Sequence, residues 1–313
     1  MSAPLLVKAA RTGRRIVNVT PQSAGWHFVG FEALRLEAGD EYQGDTGNRE
    51  LCIVVIAGHV DVASGELHWD SLGNRAGPFE DIAPSAVYLP PGRPLQVKAL
   101  DAAEVALCWA PATKGVAPRL IEPGTMQRTV RGQGSNTRFV RDILPQTEAA
   151  ESLLVVEVIT PPGNSSSYPP HKHDTDALPV ESSLEETYYH RLDPPQGFAF
   201  QRVYTDDRSI DEAMAVEDRD VVMVPRGYHP VVVPHGYTSY YLNVMAGPRR
   251  LWHFHNDPAH EWMLAPGAIL TPFSLGDKGG WRVASGLTRL MYHLPHPRSL
   301  SPREREAALL TIA

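Results

Sequence analysis

SYPPHKHDTDALPVESSLEETYYHRL, residues 167–192, sets His171 and His173 two apart, follows them with the adjacent acids Glu185 and Glu186, and ends near a Tyr-Tyr-His triplet. Residues i and i+2 of a strand point to one face, so the two imidazoles face the same way. Neutral imidazole is the commonest nitrogen donor to divalent metals. An open catalytic site needs about three or four protein ligands and a position left free. A carboxylate on the next strand and one more histidine complete that set. The chain offers Glu186 and, just past the turn in VPRGYHPVV (224–232), His229. Along the strand, Glu186, Tyr188 and His190 share one face, and Glu185, Thr187 and Tyr189 the other. The polar Glu-Tyr-His face reads as a site lining, which favours Glu186 over Glu185. His235 competes with His229 for the fourth position. A second His-x-His, His253 and His255 in WHFHNDPAHEW (252–262), has no Pro-x-Gly-His element after it and reads as a packed C-terminal segment.

Working outward, the chain has 313 residues, 42% hydrophobic and 21% charged, enough for two domains with sizeable cores. The formal net charge is −7, which gives no electrostatic reason to expect nucleic acid or an anionic membrane as partner. No helix pair or basic stripe of a DNA-binding protein is evident. No apolar run approaches the ~20 residues of a membrane span, and the N-terminal segment lacks the apolar core of a signal peptide, so a cytoplasmic protein is expected. Cys52 and Cys108 both sit in apolar runs and read as buried free thiols, with a single disulfide as the alternative.

The chain holds 28 prolines and 25 glycines, and short β-branched runs alternate with Pro/Gly turns. That pattern predicts an all-β protein of sandwich or barrel type. A weak repeat organises it. NRELCIVVIAGHVDVASGE (48–66) followed by PSAVYLPPGRPLQVKA (84–99) has the same grammar as LEETYYHRLDPPQGFAFQRVY (184–204) followed by DRDVVMVPRGYHPVVVP (218–234). Each is Glu–strand–turn–strand, then strand–Pro-x-Gly–strand, which predicts two copies of one β-domain. The first copy has no His-x-His pair and carries Arg93 after its turn. The boundary is placed by the polar, proline-broken RDILPQTEAAES (141–152), giving domains 1–145 and 146–313. Ser301, Pro302 and Glu304 form a capping box for a C-terminal helix.

His-x-His, a later Glu and a histidine past a Pro-x-Gly turn resemble the ligand grammar of a cupin barrel. The stretch between His173 and Glu186 is longer than that grammar usually allows, so DTDALPVESSLE reads as a loop insertion. Over nearly the whole chain, PPHKHD, LEETYYHRLDPPQGFAFQRVYT, VPRGYHPVVVPHGYTSYYLNVMAG, DPAHEW, PQSAGWHFVGFEALRLEAGD and RELCIVVIAGHVDV resemble the 5-deoxy-glucuronate isomerase family of myo-inositol catabolism. The 4-deoxy-5-threo-hexosulose-uronate ketol-isomerases are a weaker match. The resemblance implies a bicupin with a few short helices, whose C-terminal domain binds a metal through His171, His173, Glu186 and His229 and whose N-terminal domain is structural. It implies aldose–ketose isomerisation of 5-deoxy-D-glucuronate to 5-dehydro-2-deoxy-D-gluconate, a step of carbohydrate metabolism.

Such a reaction moves hydrogen between adjacent carbons. A divalent metal stabilises the developing enediolate as a Lewis acid while a base moves the C2 proton; a metal-assisted hydride shift gives the same product. His190 and Tyr188 are the proton-shuttle candidates. Arg202, flanked by apolar residues in FAFQRVYT, is the first choice to pair with the uronate carboxylate. Tyr241 and Asn243 share a face on the next strand and are candidates to line the cavity. Zinc is the first choice of metal; manganese, iron and nickel suit the same ligands. The partner is a small uronate, and a homo-oligomer is an option left open. A cupin dioxygenase and a non-catalytic sugar-binding cupin are the alternative readings.

Overall fold

A computed structural model describes residues 4–264 and the short antiparallel pair Ser274–Leu275 with Trp281–Arg282. Met1–Met263 form one compact unit and that pair belongs to a second. The helix expected from Ser301 lies outside the described residues. Within the first unit the structure is almost entirely antiparallel strand; the one α-helix, Pro21–Ala24, is capped by Thr20 and Ser23.

Two sandwiches make up the unit. In the first, a six-stranded sheet runs in the order Arg119–Ile121, Ala86–Leu89, Arg49–Ala57, Ala103–Pro111, Gly30–Leu36, Arg15–Val19. Its partner sheet has Glu41–Asp45, Pro94–Ala99, Val60–Ser64 and Leu67–Leu72. In the second, a seven-stranded sheet runs Leu6–Val7, Val221–Val224, Glu185–Asp193, Thr238–Ala246, Leu154–Thr160, Arg138–Leu144, Gln127–Arg131. Its partner sheet has Ser165–Ser166, Val231–Val232, Phe198–Tyr204 and Asp211–Glu217. The two repeats seen in the sequence thus become two sandwiches with matching strand order.

Strand pairing changes sandwich between Ile121 and Gln127, ahead of the polar stretch at 141–152, because Gln127–Arg131 and Arg138–Leu144 pair into the second sheet. One crossing strand also ties the halves. Leu6–Val7, at the start of the chain, pairs with Val221–Val224 of the second sandwich, while Arg119–Ile121 pairs with Ala86–Leu89 of the first.

Alternation along the strands sorts side chains into three cores. Leu51, Ile53, Val55, Val105, Leu107 and Trp109 fill the first sandwich. Tyr188, Leu192, Val203, Val231 and Tyr241 belong to the second. The opposite faces of the two large sheets, with Cys52, Val54, Cys108, Tyr189, Tyr240 and Val244, meet in a third core between the halves. Cys52 and Cys108 lie opposite each other there as buried free thiols.

The charged groups of that junction are paired. Glu157 is buried between Arg75 of the first half and Arg141 of the second, at 2.8–2.9 Å. Removing one member of such a cluster leaves an uncompensated buried charge, at a cost of about 3–5 kcal/mol. Two carboxylates form reciprocal clamps. Glu50 accepts the backbone N–H groups of Glu151, Ser152 and Leu153, just before the strand Leu154–Thr160. Glu185 accepts those of His27, Phe28 and Val29, just before the strand Gly30–Leu36. Each half therefore fixes the entry of the other half's strand with one acidic side chain.

Candidate metal centre

The strand Glu185–Asp193 decides the site. Glu185, at its first position, faces the junction and is used up in its clamp. Glu186, the next residue, faces the interior of the second sandwich. One Glu is structural and its neighbour is free for chemistry because strand side chains alternate. Within the expected insertion, residues 174–185, the chain folds as a small hairpin of Asp174–Ala177 with Glu181–Ser183. His171 and His173 lie at its base, and His229 enters from the chain after the Pro-x-Gly turn.

Ring nitrogens of His171, His173 and His229 lie within 4.8 Å of one another. Glu186 Oε2 is 3.0 Å from His173 Nε2 and 3.2 Å from His229 Nε2. Two donors each ~2.1 Å from one ion stand roughly 3.0–3.5 Å apart, so the two Glu186–histidine spacings suit a shared metal, around which histidine nitrogens as much as 4.8 Å apart would draw closer. The other ring nitrogens are occupied: His229 Nδ1 donates to Gly227 O at 2.8 Å and His173 Nδ1 to Leu184 O at 3.2 Å. Those bonds fix the tautomers and turn both Nε2 lone pairs toward Glu186. His229 Nε2 is buried with no hydrogen-bond partner. An orphaned acceptor aimed into a histidine–carboxylate cluster is what a metal ligand looks like before its ion is placed. The residues fit a divalent metal.

Electrostatics agree. Burial, with the neighbouring His229 and His173, pushes His171 well below its ordinary pKa, and burial lowers His229 to about 4. Both are neutral, as ligands must be. Burial also opposes charge on His173, but the hydrogen bond and charge of Glu186 outweigh it and raise its pKa. His235, the competing ligand, is exposed and outside this cluster.

A narrow cavity opens beside Glu186. Tyr188, Tyr241 and Asn243 line it, with Ser167, His171, Arg131, Arg138 and Trp252. Tyr188 OH lies 3.2 Å from Ser167 Oγ, and Tyr241 OH bonds Ser166 Oγ. Burial drives the Tyr188 pKa far up, assisted by the Glu186 and Tyr241 charges, so its phenol keeps its proton. His190 does not reach the cavity lining. It is fully buried behind Tyr188, its ring stacked at 6.0 Å, with Nε2 2.9 Å from Gln201 Oε1. Burial lowers its pKa to about 4.

Arg202 is placed elsewhere. It lies on the outer face of the strand Phe198–Tyr204, exposed between the buried Gln201 and Val203, and pairs with Asp211 through two bonds of 2.8 and 2.9 Å. The apolar neighbours that suggested a buried guanidinium face the opposite way. The arginines that do line the cavity are Arg131 and Arg138, from the strands on either side of the polar loop at 132–137. The segment 252–262, expected only as a packed C-terminal segment, lies against the centre: His255–Asn256 pairs with His171–Lys172, and the Phe254 ring lies 4.6 Å from that of His171.

Two linked β-sandwiches with a His₃Glu cluster in the second define a bicupin with, among the described residues, a single metal-capable centre. The chain belongs to the KduI/IolB family, whose model matches residues 5–263. It is 52% identical over 250 residues to a protein of Geobacillus kaustophilus named 5-deoxy-glucuronate isomerase, covering 80% of this chain and 90% of that one. A protein of Bacillus subtilis strain 168 with the same name is 53% identical over 247 residues, covering 79% and 91%. A crystal structure of an IolB-like protein from Salmonella typhimurium LT2 superposes with a TM-score of 0.83 at 48% identity, covering 84% of this chain and all of that one. Oxalate decarboxylase from Lactobacillus farciminis shares the fold at 13% identity and a TM-score of 0.60, covering 85% and 92%.

Proposed function

We propose that this chain is a metal-dependent isomerase converting 5-deoxy-D-glucuronate to 5-dehydro-2-deoxy-D-gluconate in inositol catabolism. The observation that carries the reading is the convergence of His171, His173, Glu186 and His229 beside a polar cavity, in a chain about half identical to proteins named for this reaction. His171, His173, Glu186 and His229 would hold a divalent ion, zinc in the first instance, whose Lewis acidity would assist the C1 carbonyl and C2 hydroxyl.

The protein's own groups do the rest. Tyr188 keeps its proton and donates a hydrogen bond into the cavity. Asn243 lies opposite Tyr188 on the neighbouring strand and presents its amide to the same space. Tyr241, tied to Ser166, forms a fixed wall. His190 acts at one remove: with Gln201 it packs behind Tyr188 and sets that ring's position, which makes it a positioning residue.

The test is isomerisation of 5-deoxy-glucuronate by purified protein under nitrogen, before and after chelation. Zinc, manganese, iron and nickel are then restored one at a time. Loss on chelation and recovery with one ion supports the reading and identifies a working metal. Metal bound without anaerobic turnover overturns it and brings forward the oxygen-dependent or sugar-binding alternatives.

A further inference from the structure

Arg131 and Arg138 stand directly opposite each other on the antiparallel strands Gln127–Arg131 and Arg138–Leu144. Like charges at such positions repel. Both line the cavity of the metal centre, and neither has an ion-pair partner among the described residues. The repulsion is felt: burial first, then the charge of Arg131, lowers the pKa of Arg138. A chain of net charge −7 has acids to spare, yet among the described residues none lies within ion-pair distance of either guanidinium; Asp142 acts on Arg131 only through its field.

The rest of the wall points the same way. Arg131 sits 5.5 Å over the ring of Trp252, whose Nε1–H is buried with no acceptor. That orphaned donor belongs to the same cavity. Two guanidinium groups and an indole N–H, all donors, line the cavity together with His171 and Glu186. The backbone is shaped to hold the arrangement. Arg138 Nη1 bonds Asn136 O and Asn136 Oδ1, each at 3.2 Å. Gly132 has φ +75°, and a Cβ there would lie 1.9 Å from Asn136 O and 2.8 Å from Arg138 Nη1. Only glycine lets the loop close on that guanidinium.

We infer that Arg131 and Arg138, with Trp252 Nε1, form an anion pole that takes the carboxylate of a sugar acid and orients its carbonyl end toward the His₃Glu cluster. It rests on the isomerase reading for the identity of the substrate, but not for the preference for acids over neutral sugars. An uncharged sugar leaves two facing guanidinium groups unneutralised, so the pole selects as well as binds.

The experiment measures binding and turnover separately. D-glucuronate and D-glucose are titrated calorimetrically into the metal-loaded wild type, Arg138→Gln, Arg131→Gln and the double variant, and KM and kcat for 5-deoxy-glucuronate are measured in parallel. Arg138→Lys is included because it keeps the charge and loses the fork. The expected result is glucuronate binding at least tenfold tighter than glucose in the wild type. The double variant abolishes that ratio and raises KM about ten- to hundredfold at unchanged metal content, with Arg138→Lys between the two. A double variant that folds, holds metal and keeps both the ratio and KM overturns the inference. Arginine-dependent glucuronate binding without any isomerisation sinks the isomerase reading and leaves the anion pole standing.

Discussion

In the first half, Leu51, Ile53 and Val55 lie opposite Trp109, Leu107 and Val105; in the second, Glu186, Tyr188 and His190 lie opposite Met245, Asn243 and Tyr241. The strands and their pairing correspond position for position. The apolar set closes the first sandwich into a solid core. The polar set opens a cavity and a metal-capable centre in the second. At the turns, Pro94 stands two residues past Gly92 where His229 stands two past Gly227. The two copies divide the work: one is packed for stability, the other carries buried polar groups that cost stability. Every buried side-chain atom found without a hydrogen-bond partner among the described residues, from Thr129 Oγ1 to Trp252 Nε1, lies in the second sandwich or the segment over it. Unsatisfied groups gather where function is built.

The largest effect should separate the paired positions Glu186 and Leu51. Glu186→Gln removes an anionic ligand, and turnover is expected to fall on the order of 10³-fold with loss of bound metal. Leu51→Ala, its counterpart, should cost about 2–5 kcal/mol of stability while turnover per folded molecule holds. Metal analysis, kinetics and thermal melts on both variants check this. Equal losses of turnover in the two would break the division of labour.

How far this division could be read in the chain depends on the residue. The candidate metal cluster was legible because His-x-His and alternation along residues 185–190 are local patterns. The choice of Glu186 over Glu185 followed from the same alternation, though the task that occupies Glu185, capping three N–H groups more than 150 positions away, leaves no local mark. Arg202 misled because alternation was not applied to it: a strand in a sheet with one covered face buries Gln201 and Val203 and turns Arg202 outward. Arg131 and Arg138 were missed because their opposition exists only once two strands pair across a loop. The change of sandwich was misplaced for the same reason. Polarity marks a loop, while the hydrogen bonds that assign Arg138–Leu144 to the second sheet are long-range.

Glu185→Gln and Glu50→Gln probe the reciprocal clamps, where the halves should behave alike. Each variant weakens charge-assisted bonds to three backbone N–H groups, at an expected cost of about 1–3 kcal/mol. Denaturant melts should show similar losses for the two, and kinetics should show turnover preserved in Glu185→Gln, in contrast to Glu186→Gln. A collapse of turnover in Glu185→Gln would return that residue to the site and undo the assignment by alternation.

The smallest expected effect concerns a carboxylate that gives the junction an asymmetry. Glu151, whose own N–H is held by Glu50, accepts the N–H groups of Thr113, Lys114 and Gly115 and the Thr113 hydroxyl. The backbone N–H of Gly115 and Thr113 contribute most to lowering its pKa from an ordinary 4.5 to about 2. A depressed folded-state pKa means its contribution is whole above pH 4.5 and is lost as pH falls through about 2. The group is partly open to water, so screening keeps the effect small. Glu151→Gln should therefore flatten the acid limb of a melting-temperature profile between pH 4.5 and 2 and leave the profile above pH 5 with a small constant offset. An unchanged acid limb would mean that the loop at 113–115 is held by its packing, and that the junction is as symmetric in its electrostatics as in its two clamps.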